Sequence, residues 1–267
     1  MRHFLERVVV FPSIVEPYVG CTVLVLVFGS ALLGRLIRRK LPGSHLDAQT
    51  EAVVKMSMGV VGTLTALVLG LLVATANSSF TASSQEVTNI AANVIQLDHL
   101  LRQYGPEADG ARDLLRRYTA IKIQDLFPES SATKPTLDNP QTVSLFEELQ
   151  NRLSTLEAHN ANQRWLKSEA QRPTTAIVGS RWLLVERDVS GMPIQLLMLV
   201  VFWLCVLFIS FGLFAPPNMT VTVVMFLCAL AVAGAVQMTL DLSRPFVGTV
   251  RLSSQPMKYA LKVVNRK

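Results

Sequence analysis

Charge is scarce in this chain and unevenly spread. Only 16% of its 267 residues are charged, 50% are hydrophobic, and the mean hydropathy is +0.37. That balance excludes a disordered chain and an ordinary water-soluble enzyme. Cysteine is nearly missing. Cys21, Cys205 and Cys228 all fall in apolar stretches, so they are expected as free buried thiols and not as a disulfide framework. The histidines, His3, His45, His99 and His159, are scattered at spacings that supply no metal site. No glycine-rich phosphate loop, no nucleophile elbow and no basic run interleaved with aromatics occurs. The chain is therefore not expected to be an enzyme, to hold a cofactor or metal, or to bind nucleic acid.

What the chain has instead is long uncharged runs. Nothing between Lys55 and Glu86 is charged, and Ser57–Ala76 alone supplies the roughly 20 apolar residues that a helix needs to cross the hydrocarbon. Tyr18–Ile37 reads as an earlier span, with Tyr18 at one interface and Arg35, Arg38, Arg39 and Lys40 crowding the other. Ser190 to Leu240 is uncharged over roughly 50 residues, enough for two crossings. The turn Ala215-Pro216-Pro217-Asn218 divides it into Pro193–Phe214 and Met219–Leu240. The expected fold is all-α, an integral membrane protein with four transmembrane helices and an extramembrane helical insert between the second and third.

Four regions follow: 1–76 with an N-terminal interfacial segment and the first two spans, 77–191 as the insert, 192–240 with the last two spans, and 241–267 as a basic tail. The second span continues without proline as a helix to Gly105-Pro106, with Val87, Ile90, Val94, Leu97 and Leu101 at helical spacing. A helix from Glu107 to about Phe127, a proline-containing loop, a helix over Gln141–Arg172 ended by Pro173, and a helix over Thr174–Val189 complete the insert. Asp98-His99 reads as a solvated polar pair, and the tail carries a short helix over Pro256–Val264.

Candidate site residues lie on the second span. Gly62, Ala66, Gly70 and Ala74 recur every fourth position and make a small-residue stripe of the kind that lets helices approach closely in lipid. It fits contact between protomers around an axis and packing within one chain equally well. Thr63, Thr65, Thr75 and Asn77 either face a pore or, for the threonines, bond carbonyls of their own helix. Asp241 and Arg244 close the last apolar run. Charge at membrane depth is costly, and at i, i+3 spacing the two suit a structural pair at the interface, with Pro245 ending the helix.

Several blocks resemble the bacterial bestrophin-like membrane proteins, a family without an assigned activity. They are Ala66–Leu72 followed by Asn77-Ser78-Ser79-Phe80, Leu97–Ala108, Ser210–Asn218, and Leu240–Gly248 with Ser253, Ser254 and Pro256. The resemblance implies the layout of bestrophins, which are pentameric anion channels whose second helix lines the pore and continues into a cytosolic helical domain. The chain departs from bestrophins in two ways. Its second helix offers Gly, Ala and Thr where a bestrophin neck has bulky apolar residues, and no acidic calcium-binding cluster is evident.

Two functions are open. One is an oligomeric bestrophin-like ion channel with inorganic ions as permeants. The other is a non-conducting scaffold or sensor whose insert binds a partner, for which Asn151–Trp165 offers a long polar helix face. Membrane lipid and further copies of the chain are the expected partners. The expected location is the bacterial inner membrane, with the insert and both termini on one side. Basic residues flank both ends of the bundle, so the assignment of the insert to the cytoplasm rests on the resemblance.

Overall fold

The computed structural model describes residues 18–42, 47–128, 135–189, 194–216, 218–247 and 250–266. The N-terminal interfacial segment lies outside the described residues, as do residues 43–46 between the first two spans, residues 129–134 of the proline-containing loop and Pro217 of the expected turn. The helices are α1 (Val19–Arg38), α2 (Ala48–Tyr104), α3 (Asp109–Leu126), α4 (Pro140–Thr155), α5 (Ala161–Val189), α6 (Ile194–Phe214), α7 (Met219–Ser243) and α8 (Gln255–Val264). Among the described residues there is no strand. The chain forms two compact units, Met1–Asn77 with Met192–Ser243, and Ser78–Gly191 with Arg244–Lys267.

In the first unit, α1, the first part of α2, α6 and α7 are each long and apolar enough to cross a membrane. Val23, Val27 and Ala31 repeat every fourth residue of α1 and bury against Val200, Leu204 and Phe208 of α6 and Ala233 of α7. α1 and α6 approach backbone to backbone. A Cβ on Gly34 would stand 2.1 Å from the Ile209 carbonyl oxygen, and one on Gly212 would stand 2.0 Å from that of Ala31. Only glycine fits there. Two of the three cysteines, Cys21 and Cys228, are exposed and Cys205 is half-buried. The expectation of buried thiols is corrected, because apolar helices in this unit turn apolar faces outward to lipid as well as inward.

The second unit is built on the lower part of α2. Val87, Ile90, Val94, Leu97 and Leu101 are all buried, and α3, α4, α5 and α8 add Leu115, Tyr118, Phe146, Leu166, Ile177, Met257 and Val264 to the same core. α2 ends at Gly105, the one described residue in the left-handed region of φ (120°), and Pro106 follows. The tail after Arg244 belongs to this unit: Leu252, Met257, Ala260 and Val264 are core residues.

One helix boundary in this unit differs from expectation. Gln141–Arg172 is not one helix, and Pro173 does not end one. α4 stops at Thr155, residues 156–160 are extended or bent, and α5 runs from Ala161 through Pro173 to Val189. The break is capped on both sides. Asn160 Oδ1 accepts from the Gln163 backbone N–H at 2.7 Å, and Gln163 Oε1 accepts from the His159 N–H at 2.9 Å, a reciprocal capping arrangement. Lys167 Nζ donates to the Ser154 and Leu156 carbonyls at the end of α4. Pro173 costs its helix a hydrogen bond, about 3 kcal/mol. The buried stripe Leu166, Ala170, Ile177 and Leu184 runs straight past it, and that burial offsets the loss.

Candidate functional site

The candidate residues of the second span all lie on α2, and the structure places most of them on one uncovered face. Thr63, Ala66, Gly70, Ala74 and Asn77 are exposed, while Gly62 is half-buried. A Cβ on Gly62 would just touch Leu207, 4.0 Å away, whereas one on Gly59 or Gly70 would meet nothing within 4 Å. The opposite side of the helix turns Thr65, Leu72 and Ala76 into the unit. Of the four spans, α2 is the least covered by its own chain: 11% of its most apolar window is buried, against 33% for α6.

The hydroxyls on this helix are committed locally. Thr63 donates to the Gly59 carbonyl at 3.0 Å, Thr65 to Val61 at 2.7 Å and Thr75 to Leu71 at 2.9 Å. An i−4 bond of this kind satisfies the hydroxyl donor inside an apolar span and leaves the oxygen lone pairs facing outward. The stripe of Thr63, Ala66, Gly70, Ala74 and Asn77 is therefore small and uncharged, with the hydroxyl protons of Thr63 and Thr75 spent on their own helix, and Leu64, Leu67 and Leu71 are exposed beside it.

Asp241 lies where α7 ends and α1 begins. Its Oδ1 accepts from Gln237 Nε2 at 2.9 Å, and Gln237 Oε1 accepts from the Gly20 backbone N–H at 2.9 Å. The glutamine thus ties the buried carboxylate to an orphan N–H at the start of α1. Gly20 is needed close by, since a Cβ there would press on Gln237 at 3.2 Å. Arg244 is exposed, one residue past the end of α7, and Pro245 follows it.

In the second unit the expectation of a solvated Asp98-His99 pair is corrected. His99 is exposed, but Asp98 is buried and accepts ion pairs from Arg102 Nε at 2.8 Å and Arg112 Nε at 3.1 Å. Arg102 Nη2 also donates to the Val263 carbonyl at 2.9 Å and to the Arg266 carbonyl, which terminates α8 on a cation. A depression of about 390 Å³ opens beside this cluster, lined by Ile95, Asp98, His99, Arg102 and Val263. Sequence reading missed Lys122. Its ammonium is buried and donates to the Leu137 carbonyl at 2.7 Å, and burial pulls its pKa down to about 8 despite the nearby Asp125 carboxylate. Beside it on α3, burial drives the Tyr118 hydroxyl far above the usual phenol range. Among the described residues no group of three or more His, Cys, Asp or Glu side chains is arranged to hold a metal ion.

These features define an all-helical membrane protein with four crossing helices and a helical extramembrane unit. Residues 25–257 match the bestrophin-like domain, and the chain belongs to the bestrophin-like family. Its fold is that of a bacterial bestrophin homologue from Klebsiella pneumoniae. One crystal structure of that protein, solved by zinc phasing, is 13% identical with a TM-score of 0.69, over 91% of this chain and 96% of the other. A second, carrying one substitution, is 13% identical with a TM-score of 0.69, over 92% and 97%. No curated protein matches the chain.

Proposed function

We propose that the chain is the protomer of a homo-oligomeric ion permeation pathway in a bacterial cytoplasmic membrane, with α2 lining its axis. The observation that carries this reading is the uncovered face of α2. In lipid, helices associate through close packing of small residues and not through a hydrophobic drive. Here the helix richest in such residues presents Ala66, Gly70 and Ala74 outward, away from its own chain. Further copies arranged around an axis would give that face its surroundings. Carbonyl and hydroxyl oxygens would then line a narrow uncharged path, and ring charge would not select among ions. The resemblance to bestrophins supports the same arrangement and favours a cytoplasmic helical unit.

The competing reading, a non-conducting scaffold whose helical unit binds a partner, rested on a long polar face over Asn151–Trp165. Those residues span the end of α4, the break and the start of α5, so they offer no continuous helix face. The experiment that separates the two is ion flux through liposomes holding the purified protein, with halides and alkali cations tested separately. Selective flux abolished by Gly70→Trp is the expected result. Well-folded oligomers that pass no ion would favour the scaffold.

A further inference from the structure

We propose that Arg35, assisted by Arg38, forms a phosphate-binding site at the end of the membrane unit where α1 meets the turn between α6 and α7. Arg35 Nη1 donates to Thr222 Oγ1 at 2.7 Å, which fixes one corner of the guanidinium. Its Nε and Nη2 are shielded from solvent and have no hydrogen-bond partner. Nε and Nη2 share one edge of the guanidinium, the edge whose parallel N–H bonds engage a two-oxygen anion side-on. Leaving such donors unmet in a covered position is costly. The geometry therefore asks for an oxyanion.

Among the described residues of this unit no carboxylate is paired with that edge. The carboxylates among the described residues of this unit are Asp47, Glu51 and Asp241. Glu51 engages Lys55, Asp47 caps the start of α2 through the Thr50 N–H, and Asp241 is held by Gln237. Arg38 donates to the Ala215 carbonyl at the end of α6, and Arg39 and Lys40, which follow it in the chain, are exposed. Four cations within six residues, Arg35, Arg38, Arg39 and Lys40, at the end of an apolar span create a positive potential where lipid headgroups lie. A phosphate ester of an anionic lipid fits both the charge and the depth, and inorganic phosphate offers the same chemistry from solution. The site is independent of whether the protein conducts.

The test uses the full chain, purified and delipidated in detergent. Native mass spectrometry titrated with phosphatidylglycerol reads the lipid source, and a thermal shift with sodium phosphate alone reads the soluble one. Phosphate-dependent binding in either arm that Arg35→Gln weakens about tenfold, and Arg38→Gln less, supports the site. Arg35→Lys keeps the charge but lacks the fork. It is expected not to restore binding, and it serves in place of Arg35→Gln if that variant loses its helical circular dichroism. Equal binding by wild type and all three variants overturns the proposal. So does a change confined to oligomeric state, which would assign the missing acceptor to a neighbouring copy.

Discussion

Gly212 sits against Ala31 so closely that a single added methyl would stand 2.0 Å from the Ala31 carbonyl oxygen. Gly34 makes the reciprocal contact with Ile209 one turn along. Backbone meets backbone at this crossing, and no side chain can move aside. Gly212→Ala and Gly34→Ala should each destabilise the membrane unit by about 1–3 kcal/mol or more, the cost of overpacking a rigid contact. Gly29→Ala, on the same helix but open to 4 Å, is the control. Thermal melting in detergent checks the contrast.

Gly70→Ala should behave in the opposite way. Nothing lies within 4 Å of its missing Cβ, and alanine is the better helix former by about 1 kcal/mol. A monomer should therefore melt no lower than wild type. If α2 faces an axis, the same change should alter the oligomer distribution or the ion flux without any loss of helicity. Size-exclusion chromatography beside liposome flux reads both.

Asp98→Asn removes the carboxylate shared by Arg102 and Arg112, leaving two guanidinium groups around a buried neutral amide. Breaking a buried pair from one side costs about 3–5 kcal/mol. Because Arg102 also holds the carbonyls that end α8, the loss should appear first as faster hydrogen exchange over residues 255–264. Unchanged protection of α8 would mean that its core contacts alone hold it.

Lys122 should make the helical unit more stable as pH rises from about 8 to 10.5. Its folded pKa is lowered from 10.5 to about 8, so within that window the unfolded chain binds more protons than the folded one, and stability climbs with pH. Below about pH 8 the burial penalty is present in full, of the order of 3 kcal/mol. Lys122→Met should flatten the climb, as read by denaturation at pH 7.5 and 10.

Much of this architecture is legible in the sequence because its signals are local. Runs without charge mark the spans, and the buried spacing of Val87, Ile90, Val94, Leu97 and Leu101 marks α2 beyond the membrane. The break at residues 156–160 was legible too, through Asn160 and Gln163 at capping distance, but proline at 173 offered a louder signal that tertiary burial overrode. The tight helix contact was hidden for another reason. Gly34 and Gly212 belong to no repeating stripe, and each needs a carbonyl from a helix far away in the chain. The periodic stripe on α2 meets little of its own chain. The role of Lys122 is likewise invisible until Leu137 is brought to it.

The two-part origin of the helical unit has a consequence for its biogenesis. Leu252, Met257, Ala260 and Val264 complete a hydrophobic core that α2 begins, yet they leave the ribosome only after α6 and α7. Translation must therefore deliver every span to the insertion machinery before the last wedge of that core exists. Until then the nascent unit keeps part of its apolar interior open to chaperones and proteases.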